Sequence, residues 1–468
     1  MKKLTLYKSF LIAAIPLLFQ ACFVAKDYKR EEALVPQENL FRTDAIPQDS
    51  LSMAEVSWRE LFTDPILASY IEEGLQNNLD IRIALQQILA AEAYVNQGKS
   101  GYLPTLGAST GVSRQEFSKN SNPNQAAIGN FTQYEVAANL SWEADIWGKI
   151  RSNKRAFDAS YLQSVAAHQA VKTRLIASIA TTYYQLLALD EQRKITLETI
   201  DTRSESLETT QALKEAGNLT EVGVKQTEAQ LNTAKALLLD IENQIRVQEN
   251  SLSILLGQAP QALERGSLEN QIITSDLNIG IPAQLLSNRP DILEAEYNLI
   301  NAFELTNVAK SNFYPSLQIT ASGGFQSLDL EKLFDVNSLF ASMVGSLTQP
   351  IFNGRRIRTE YEVSQARQEE AKLNFQRALL NAGKEVSDAL YAYQYNTQKI
   401  EVKSLEFDAY NKATGYSEEL LDNGLVNYLE VLIARQNSLN SQIDMVNAKF
   451  SQLEAMVELY RALGGGWR

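Results

Sequence analysis

The stretch YEVAANLSWEADIW (Tyr134–Trp147) decides how this sequence folds. Apolar side chains occupy every second position from Tyr134 to Ile146, and polar side chains with one alanine, Ala137, occupy the positions between them. A period of two is typical of a β-strand whose two faces meet different surroundings. The stretch therefore predicts a long strand with one apolar and one polar face.

Similar alternation recurs at three other places, which predicts four strands. Their approximate ranges are 103–114, 133–147, 315–326 and 338–352. Strands of about ten residues suit a tilted crossing of a lipid bilayer, and aromatic residues near their ends match the girdles of membrane barrels. Soluble sandwiches also alternate, but these two details favour a membrane β-barrel.

Four strands are too few to close such a barrel, because roughly eight strands form the smallest closed transmembrane sheet. An open sheet edge in lipid would leave backbone groups unpaired at a cost of several kcal/mol each. The chain is therefore expected to share its barrel with copies of itself. Two copies would supply eight strands and three would supply twelve, and strand geometry alone leaves both open.

The chain also repeats itself. Four landmarks recur in the same order, at separations of 211, 206, 207 and 207 residues. The matched pairs are Pro104 and Pro315, Gly148 and Gly354, Gly217 and Gly424, and Leu256 and Leu463. Nearly constant spacing indicates a tandem duplication. We expect a first repeat over 58–260, a linker over 261–284 and a second repeat over 285–468.

Long helices are predicted after each pair of strands. No proline or glycine interrupts the sequence from Ser152 to Ala216, and a helix of that length would be on the order of 100 Å long. The turns AGNLTEV (216–222) and DNGLVNY (422–428) place a glycine where a left-handed cap ends a helix. We expect both turns to lie at the ends of helical hairpins, farthest from the strands.

The last residues, LGGGWR (463–468), raise the question of a glycine-rich phosphate loop. Only Trp467 and Arg468 follow the glycines, so no helix N-terminus is available to complete such a site. We expect the glycines to end the last helix of the second repeat and Trp467 to anchor the terminus.

Composition excludes several classes of function. The chain has 43 Lys and Arg against 56 Asp and Glu, a formal charge of −13, which argues against nucleic acid as a partner. It contains one histidine, His168, and one cysteine, Cys22. No Cys/His metal site and no disulfide within the chain are therefore expected.

The N-terminus indicates export. Lysines precede the apolar run Phe10–Phe19, which is followed by QAC. This order is that of a secretory signal peptide, predicted over 1–21. Ala21 before Cys22 resembles a lipoprotein cleavage site, so Cys22 would carry a covalent lipid and 22–57 would form an extended segment. The alternative is an ordinary signal peptide and an unmodified thiol.

Glu143 and Asp145 lie two residues apart on the polar side of the predicted strand. Paired carboxylates can act as acid and base, but no nucleophile, neighbouring histidine or metal constellation accompanies them, so no enzyme is predicted. We expect both to line the barrel lumen. Basic clusters follow at 147–155 and 353–358. A solvated surface is their default role, and contact with anionic lipid headgroups is our hypothesis.

Several motifs together resemble one known family. They are WRELFTDPIL (58–67), NNLDIRIA (77–84), LSWEADIWGKIR (140–151), LLSNRPDILEAEYNL (285–299), LTQPIFNG (347–354) and LYRALGGGW (459–467). In this order they resemble the TolC/OprM-like outer-membrane factors, and more narrowly the lipoprotein branch that serves resistance-nodulation-division efflux pumps. The similarity runs from Cys22 to Trp467.

The resemblance implies a homotrimer with a twelve-strand β-barrel in the outer membrane of a Gram-negative bacterium, joined to an α-helical barrel in the periplasm. It implies a passive duct without a cofactor, partnered by a periplasmic adaptor (membrane fusion protein) and an inner-membrane pump. Carried over by position, the tips that contact the adaptor are Gly217, Asn218, Leu219, Gly424, Leu425 and Val426. Tyr416, Glu419 and Asp422 are implied as gate residues.

Two other functions stand beside efflux of small molecules. The same architecture could export proteins or metal ions, and a coiled-coil envelope lipoprotein would have a purely structural role. The structural role is disfavoured, because it does not explain why alternating strands are inserted twice at equivalent places. Antibiotic or detergent sensitivity of a deletion strain would separate a duct from a scaffold.

Overall fold

The computed structural model of this protein describes residues 25–31, 34, 40–42, 52–118, 120, 130–271 and 284–468. The predicted signal peptide, Cys22 and half of the predicted linker, residues 272–283, lie outside these residues. The fold is mainly α-helical with one small antiparallel sheet, which confirms the predicted fold class.

Helices in the second half of the chain match helices in the first half in length. The long helices are α1 (Pro65–Asn77), α2 (Leu79–Ser100), α3 (Lys149–Glu215), α4 (Glu221–Leu255), α5 (Pro290–Ser311), α6 (Arg356–Asp422) and α7 (Tyr428–Leu463). Helices α2 and α5 each contain 22 residues, α3 and α6 each contain 67, and α4 and α7 contain 35 and 36. Short helical turns lie at Met53–Glu55, Trp58–Leu61, Leu268–Asn270, Leu285–Asn288, Leu330–Lys332 and Val336–Ser338.

Four antiparallel strands form one sheet in the order β1-β2-β3-β4. They are β1 (Thr105–Gln115), β2 (Phe131–Ala144), β3 (Ser316–Ser327) and β4 (Leu339–Thr348). Strand β4 ends at Thr348, before the end of the strand predicted over 338–352. Pro350, which has no backbone N–H to pair, lies just beyond it. Strands β1 and β4 are the edges, so one side of each is unpaired within a single chain.

The strand register brings residues of like polarity onto the same face. One cross-strand row contains Leu106, Leu140, Ala321 and Met343, and the next row, on the opposite face, contains Gly107, Asn139, Ser322 and Ser342. Leu106 and Met343 are 73% and 74% exposed. The sheet therefore has an exposed apolar face and a polar face, as a strand between lipid and water requires.

The chain divides into two compact units. The first comprises residues 1–30, 88–164 and 295–375 and contains the sheet. The second comprises residues 31–87, 165–294 and 376–468. Each unit draws on both repeats, because the long helices α3 and α6 pass from one unit into the other.

In the second unit, each repeat joins the start of one helix to the end of another. In the first repeat the side-chain amide of Asn78 donates to the carbonyl of Leu255 at 2.9 Å. Its Oδ1 accepts from the backbone N–H groups of Asp80 and Ile81, which caps the start of α2. We call this contact the first junction.

The second junction occupies the equivalent place in the second repeat. Arg289 Nη1 donates to the carbonyl of Ala462 at 3.0 Å, and its other nitrogens donate to both carboxylate oxygens of Asp291. Glu385 lies 2.9 Å from the same guanidinium. Arg289 is only 3% exposed, so these partners compensate a charge removed from water.

A glycine in the left-handed conformation ends the helix at each junction, Gly257 with φ 75° and Gly464 with φ 96°. A Cβ atom there would lie 2.6 Å from the carbonyl oxygen of Asn77 or 2.4 Å from that of Asn288. Trp467 Nε1 donates to the same Asn288 oxygen at 2.8 Å. The predicted helix stop and the anchoring role of Trp467 are both confirmed.

Candidate channel site and membrane anchor

The carboxylates of Glu143 and Asp145 have different partners. Glu143 lies on β2 and accepts a hydrogen bond from Lys149 Nζ at 3.0 Å. Asp145 follows the last residue of β2 and accepts from the backbone N–H groups of Ile150 and Arg151, each at 2.9 Å. These N–H groups lie in the first turn of α3 and have no partner within the helix. Glu143 thus forms an ion pair, whereas Asp145 caps a helix.

Aromatic side chains hold the ends of the strands. The Trp147 ring stacks on Tyr314 with centroids 4.9 Å apart, and its Nε1 donates to the carbonyl of Pro315 at 2.7 Å. Trp142 Nε1 donates to the carbonyl of Tyr102 at 2.9 Å. Indole rings with an apolar body and a bonded polar edge suit the boundary between lipid and water.

The basic clusters after β2 and β4 have acidic partners in the same chain, and the cations are half-buried in the first cluster and exposed in the second. Lys154 pairs with Asp158 at 2.6 Å, and Arg355 and Arg358 both pair with Glu362 at 3.3 and 3.2 Å. Arg355 and Arg358 are each 69% exposed. These cations remain accessible from outside the chain, and their contact with lipid headgroups stays a prediction.

Residues 25–30, which we call the N-terminal strap, are fastened to helices of the first unit. The side-chain amide of Asn307 donates to the carbonyl of Lys26 at 3.0 Å, and its oxygen accepts from the N–H of Lys26 at 3.4 Å. Two ion pairs follow, Asp27 with Arg155 at 2.5 Å and Arg30 with Glu296 at 2.5 Å.

Packing adds to these polar contacts of the strap. Tyr28 meets Phe303 edge to face with centroids 5.7 Å apart, and Ala25 is 5% exposed. A Cβ at Gly148 would lie 2.9 Å from that of Ala25, so the glycine leaves room for the strap. The sequence predicted an extended segment here, but the residues that hold it could not be identified without the structure.

The two predicted tips are helix-ending turns with the same hydrogen bonds. In the first, Asn218 N donates to Leu213 O at 2.8 Å and Gly217 has φ 78°. In the second, Leu425 N donates to Leu420 O at 2.9 Å and Gly424 has φ 69°. Both follow the pattern in which a left-handed glycine satisfies the last carbonyls of a helix.

The tip side chains differ in their exposure. Gly217, Asn218 and Leu425, which is 72% exposed, face solvent, and Leu219 and Val426 are half-buried. Among the predicted gate residues, Tyr416 is 64% exposed and Glu419 is also exposed. Asp422 is the last residue of α6, and its side chain is outside the description.

A polar network beside the gate candidates escaped the sequence analysis. Glu418, which adjoins Glu419, pairs with Arg435 of α7 at 2.6 Å, and Arg435 also donates to Ser206 of α3. Arg203, 3% exposed, donates to the carbonyl of Gln230 at 2.6 Å and to Gln436 Oε1 at 2.8 Å. Burial and the nearby Arg435 lower the pKa of the Arg203 guanidinium.

This network links α3, α4, α6 and α7 through side chains that look like ordinary surface residues in the sequence. Helical periodicity does not distinguish a buried arginine that donates to a carbonyl from a solvated one. Across the described residues, no three His, Cys, Asp or Glu side chains are placed to hold a metal ion. None of the helices described combines the length and apolarity needed to span a bilayer.

The family assignment rests on both repeats. The model of the family described as "Outer membrane efflux protein" matches residues 70–258 and again residues 281–465. The chain belongs to the outer membrane efflux protein family. It is therefore an outer-membrane protein that serves as an efflux channel.

Several members of this family are similar to the chain over nearly its whole length. The solvent efflux pump outer membrane protein SrpC of Pseudomonas putida is 29% identical, covering 96% of this chain and 97% of SrpC. The probable outer membrane lipoprotein SilC of Salmonella typhimurium is 27% identical, covering 97% and 98%. The solved structure of CusC, a protein that forms a transmembrane channel, is 25% identical; the match covers 95% of this chain and 100% of that one, with a TM-score of 0.82.

Proposed function

We propose that this efflux protein works as a passive, homotrimeric duct of a tripartite assembly, through which small molecules leave the cell. The observation that carries the proposal is the open four-stranded sheet with one apolar and one polar face. In lipid its edge strands need partners, because unpaired backbone groups are costly there. Copies of the same chain supply those partners when β4 of one pairs with β1 of the next.

Three copies suit a duct better than two. A closed sheet of roughly eight strands has an interior that its own side chains fill, whereas more strands leave space for water. The polar face here is rich in small residues, including Gly107, Ser109, Gly111 and Ser342. A twelve-strand barrel with such a lining would leave an aqueous passage.

The oligomer is tested by purifying the full chain from outer membranes in mild detergent and measuring its mass. We expect a trimer that resists dissociation in SDS until heated, because closure pairs all strand edges. A monomer, or a dimer, would contradict the proposed duct. Deleting the gene should also raise sensitivity to antibiotics or detergents, and unchanged sensitivity to all of them would argue against efflux.

We propose that the periplasmic adaptor docks at the two tips, Gly217–Leu219 and Gly424–Val426, and that an inner-membrane pump drives transport. Exposed turns at the ends of two helical hairpins form a surface that a partner helix pair can reach. The variant Asn218→Cys, or Leu425→Cys, should cross-link to the adaptor in cells. A cysteine at exposed Lys235 in the middle of α4 is the control, and equal cross-linking there would contradict docking at the tips.

We also propose that Tyr416, Glu419 and Asp422 form the gate that closes the periplasmic end. Their support is position, on the last turns of α6 beside the second tip. The variant Tyr416→Ala should admit a large antibiotic that the closed duct excludes, with the trimer intact. Unchanged sensitivity in the single variant and in the triple alanine variant would remove these residues from the gate.

Cys22 is proposed to carry the covalent lipid that anchors the chain to the outer membrane. A relative named as a lipoprotein, SilC, supports the assignment, as does the fastened strap that begins at Ala25. Only two residues separate Cys22 from Ala25 in the sequence. Metabolic labelling with palmitate should mark the native chain but not Cys22→Ala, and an unlabelled native chain would contradict acylation.

Export of metal ions or of proteins through the same architecture is the alternative. Relatives include both a solvent efflux protein, SrpC, and a cation efflux system protein, CusC of Escherichia coli. We propose small molecules as the general class, because selection in such assemblies falls to the pump and adaptor. A cross-linked pull-down that identifies the pump tests this proposal, and a protein-secretion partner would overturn it.

A further inference from the structure

The polar face of the sheet carries almost no charge. Within the four strands, only Glu135 and Glu143 of β2 are ionisable on this face. The other positions on it are uncharged, most of them Ser, Thr, Asn, Gln or Gly. Within the four strands, the formal charge of the polar face therefore comes from these two carboxylates.

The two carboxylates differ in how far they are neutralised. The ion pair with Lys149, at 3.0 Å, offsets the charge of Glu143. Glu135 accepts only an amide hydrogen bond within the described part of the chain, from Gln326 Nε2 at 3.3 Å, and no described Lys or Arg pairs with it. An amide holds the carboxylate in place without cancelling its charge.

The space beside Glu135 is open. Its cross-strand neighbour on β1 is Gly111, and a Cβ atom added there would meet nothing within 4 Å. On the other side the neighbour is Gln326, the residue that donates to it. The carboxylate therefore borders a gap in the side-chain lining and is half-buried in the single chain.

We propose that Glu135 sets the charge preference of the membrane passage, favouring small cationic solutes over anionic ones. This inference rests on the proposed trimer, in which three copies of Glu135 form one ring around the lumen. Charges of one sign in a passage with low-dielectric walls concentrate oppositely charged solutes and repel like ones. Glu143 contributes less to this charge preference, because Lys149 offsets its charge.

A thiol placed beside Glu135 measures the local potential without requiring the periplasmic end to open. Gly111→Cys puts the thiol in the open space directly opposite Glu135, and the native chain has no cysteine besides Cys22. Intact cells are treated with a cationic reagent, trimethylammonioethyl methanethiosulfonate, or an anionic one, sulfonatoethyl methanethiosulfonate. The ratio of the two modification rates, compared with that of a small neutral thiol, reports the potential.

We expect the cationic-to-anionic rate ratio to fall about threefold or more when Glu135→Gln is added to Gly111→Cys. Glu135→Asp should preserve the ratio, because it retains the charge. Glu143→Gln, the matched control on the same strand face, should change the ratio by less than about half as much. The chain without Gly111→Cys provides the blank for any reaction of Cys22.

An unchanged ratio in Glu135→Gln, or an equal change in Glu143→Gln, would overturn the inference. Failure of the proposed duct is recognised separately, by the loss of the heat-resistant trimer or by a Gly111→Cys thiol that reacts only after denaturation. Should Glu135→Gln fail to assemble, Glu135→Ala is measured in its place and must lower the ratio to a similar extent. An unchanged ratio in that variant would also contradict the proposal.

Discussion

At the first junction a neutral amide, Asn78, donates to the carbonyl of Leu255, whereas at the second a guanidinium, Arg289, donates to the carbonyl of Ala462. The two donors lie 211 residues apart and the two acceptors 207 residues apart, as the repeat spacing requires. The backbone geometry has therefore been kept through duplication while the chemistry of the donor has changed.

The charged donor of the second junction must be compensated for its removal from water, whereas the neutral donor of the first junction need not be. A guanidinium that is 3% exposed needs carboxylates around it, and Asp291 and Glu385 provide them. The first junction needs no such partners, because an amide is neutral. Both junctions therefore require a side chain that donates a hydrogen bond to a carbonyl near the end of the helix. Only the second junction uses a charged donor.

The largest effect should come from removing the charged donor. Arg289→Ala leaves Asp291 and Glu385 without their guanidinium, and we expect a loss of about 3–5 kcal/mol in the free energy of unfolding. Denaturation of the detergent-solubilised protein, followed by circular dichroism, measures it. Arg289→Lys should lose less, since it retains the charge. A loss for Arg289→Ala no greater than that for Asn78→Ala would break the comparison.

The glycines should respond alike at both junctions. Gly257→Ala and Gly464→Ala each place a Cβ against a carbonyl oxygen and strain a left-handed residue, so we expect each to cost about 2–4 kcal/mol. Gly217→Ala is the matched control, with positive φ but open space around it, and should cost about 1 kcal/mol. Equal losses in all three would show that backbone conformation alone matters.

Removing the neutral donor should cost less than removing the charged one. Asn78→Ala loses the hydrogen bond to Leu255 and the cap of α2, which together contribute about 1–2 kcal/mol. Asn78→Ser retains a cap acceptor and loses the amide donor, so its loss should be smaller. The same denaturation experiment compares the two variants, and a Ser variant less stable than the Ala variant would refute this division.

The smallest effect is a dependence on pH confined to the second junction. Burial raises the pKa of Asp291, but hydrogen bonds and charge from Arg289 outweigh it, so the pKa lies below its usual value. A lowered folded pKa means that the stabilisation is complete above about pH 4, the unfolded value, and is lost as pH falls through the folded one. Between pH 6 and pH 3, Asp291→Asn should lose less stability than the native chain. An equal loss of stability in Asp291→Asn and in the native chain over this pH range would contradict the prediction.

Much of the fold could be predicted because its main signals are local. Alternation in Tyr134–Trp147 depends only on which face of a strand meets lipid, and the absence of proline and glycine from Ser152 to Ala216 allows an uninterrupted helix. The alternation of apolar and polar residues does not identify the role of Asp145. A polar residue suits both the strand face and a helix cap, and only the structure shows that it caps α3.

Contacts between distant residues could not be predicted. Nothing local marks Arg203 as buried or pairs Arg435 with Glu418, because both arginines lie in helices rich in charged residues. Glu135 was visible as a polar residue of the alternating stretch, but its isolation follows from the strand register, which places it between Gly111 and Gln326. A sequence lists the polar residues of a strand without showing which of them have partners.

The N-terminal strap also orders events in time. Arg30 is synthesised early, but its partner Glu296 lies 266 residues later in the chain. Arg155, the partner of Asp27, lies 128 residues after it. The contact of Arg30 cannot form until the start of the second repeat has emerged, and closing such a long loop is slow. The segment nearest the proposed anchor is therefore made first, but it cannot complete its contacts until the second repeat has begun to emerge.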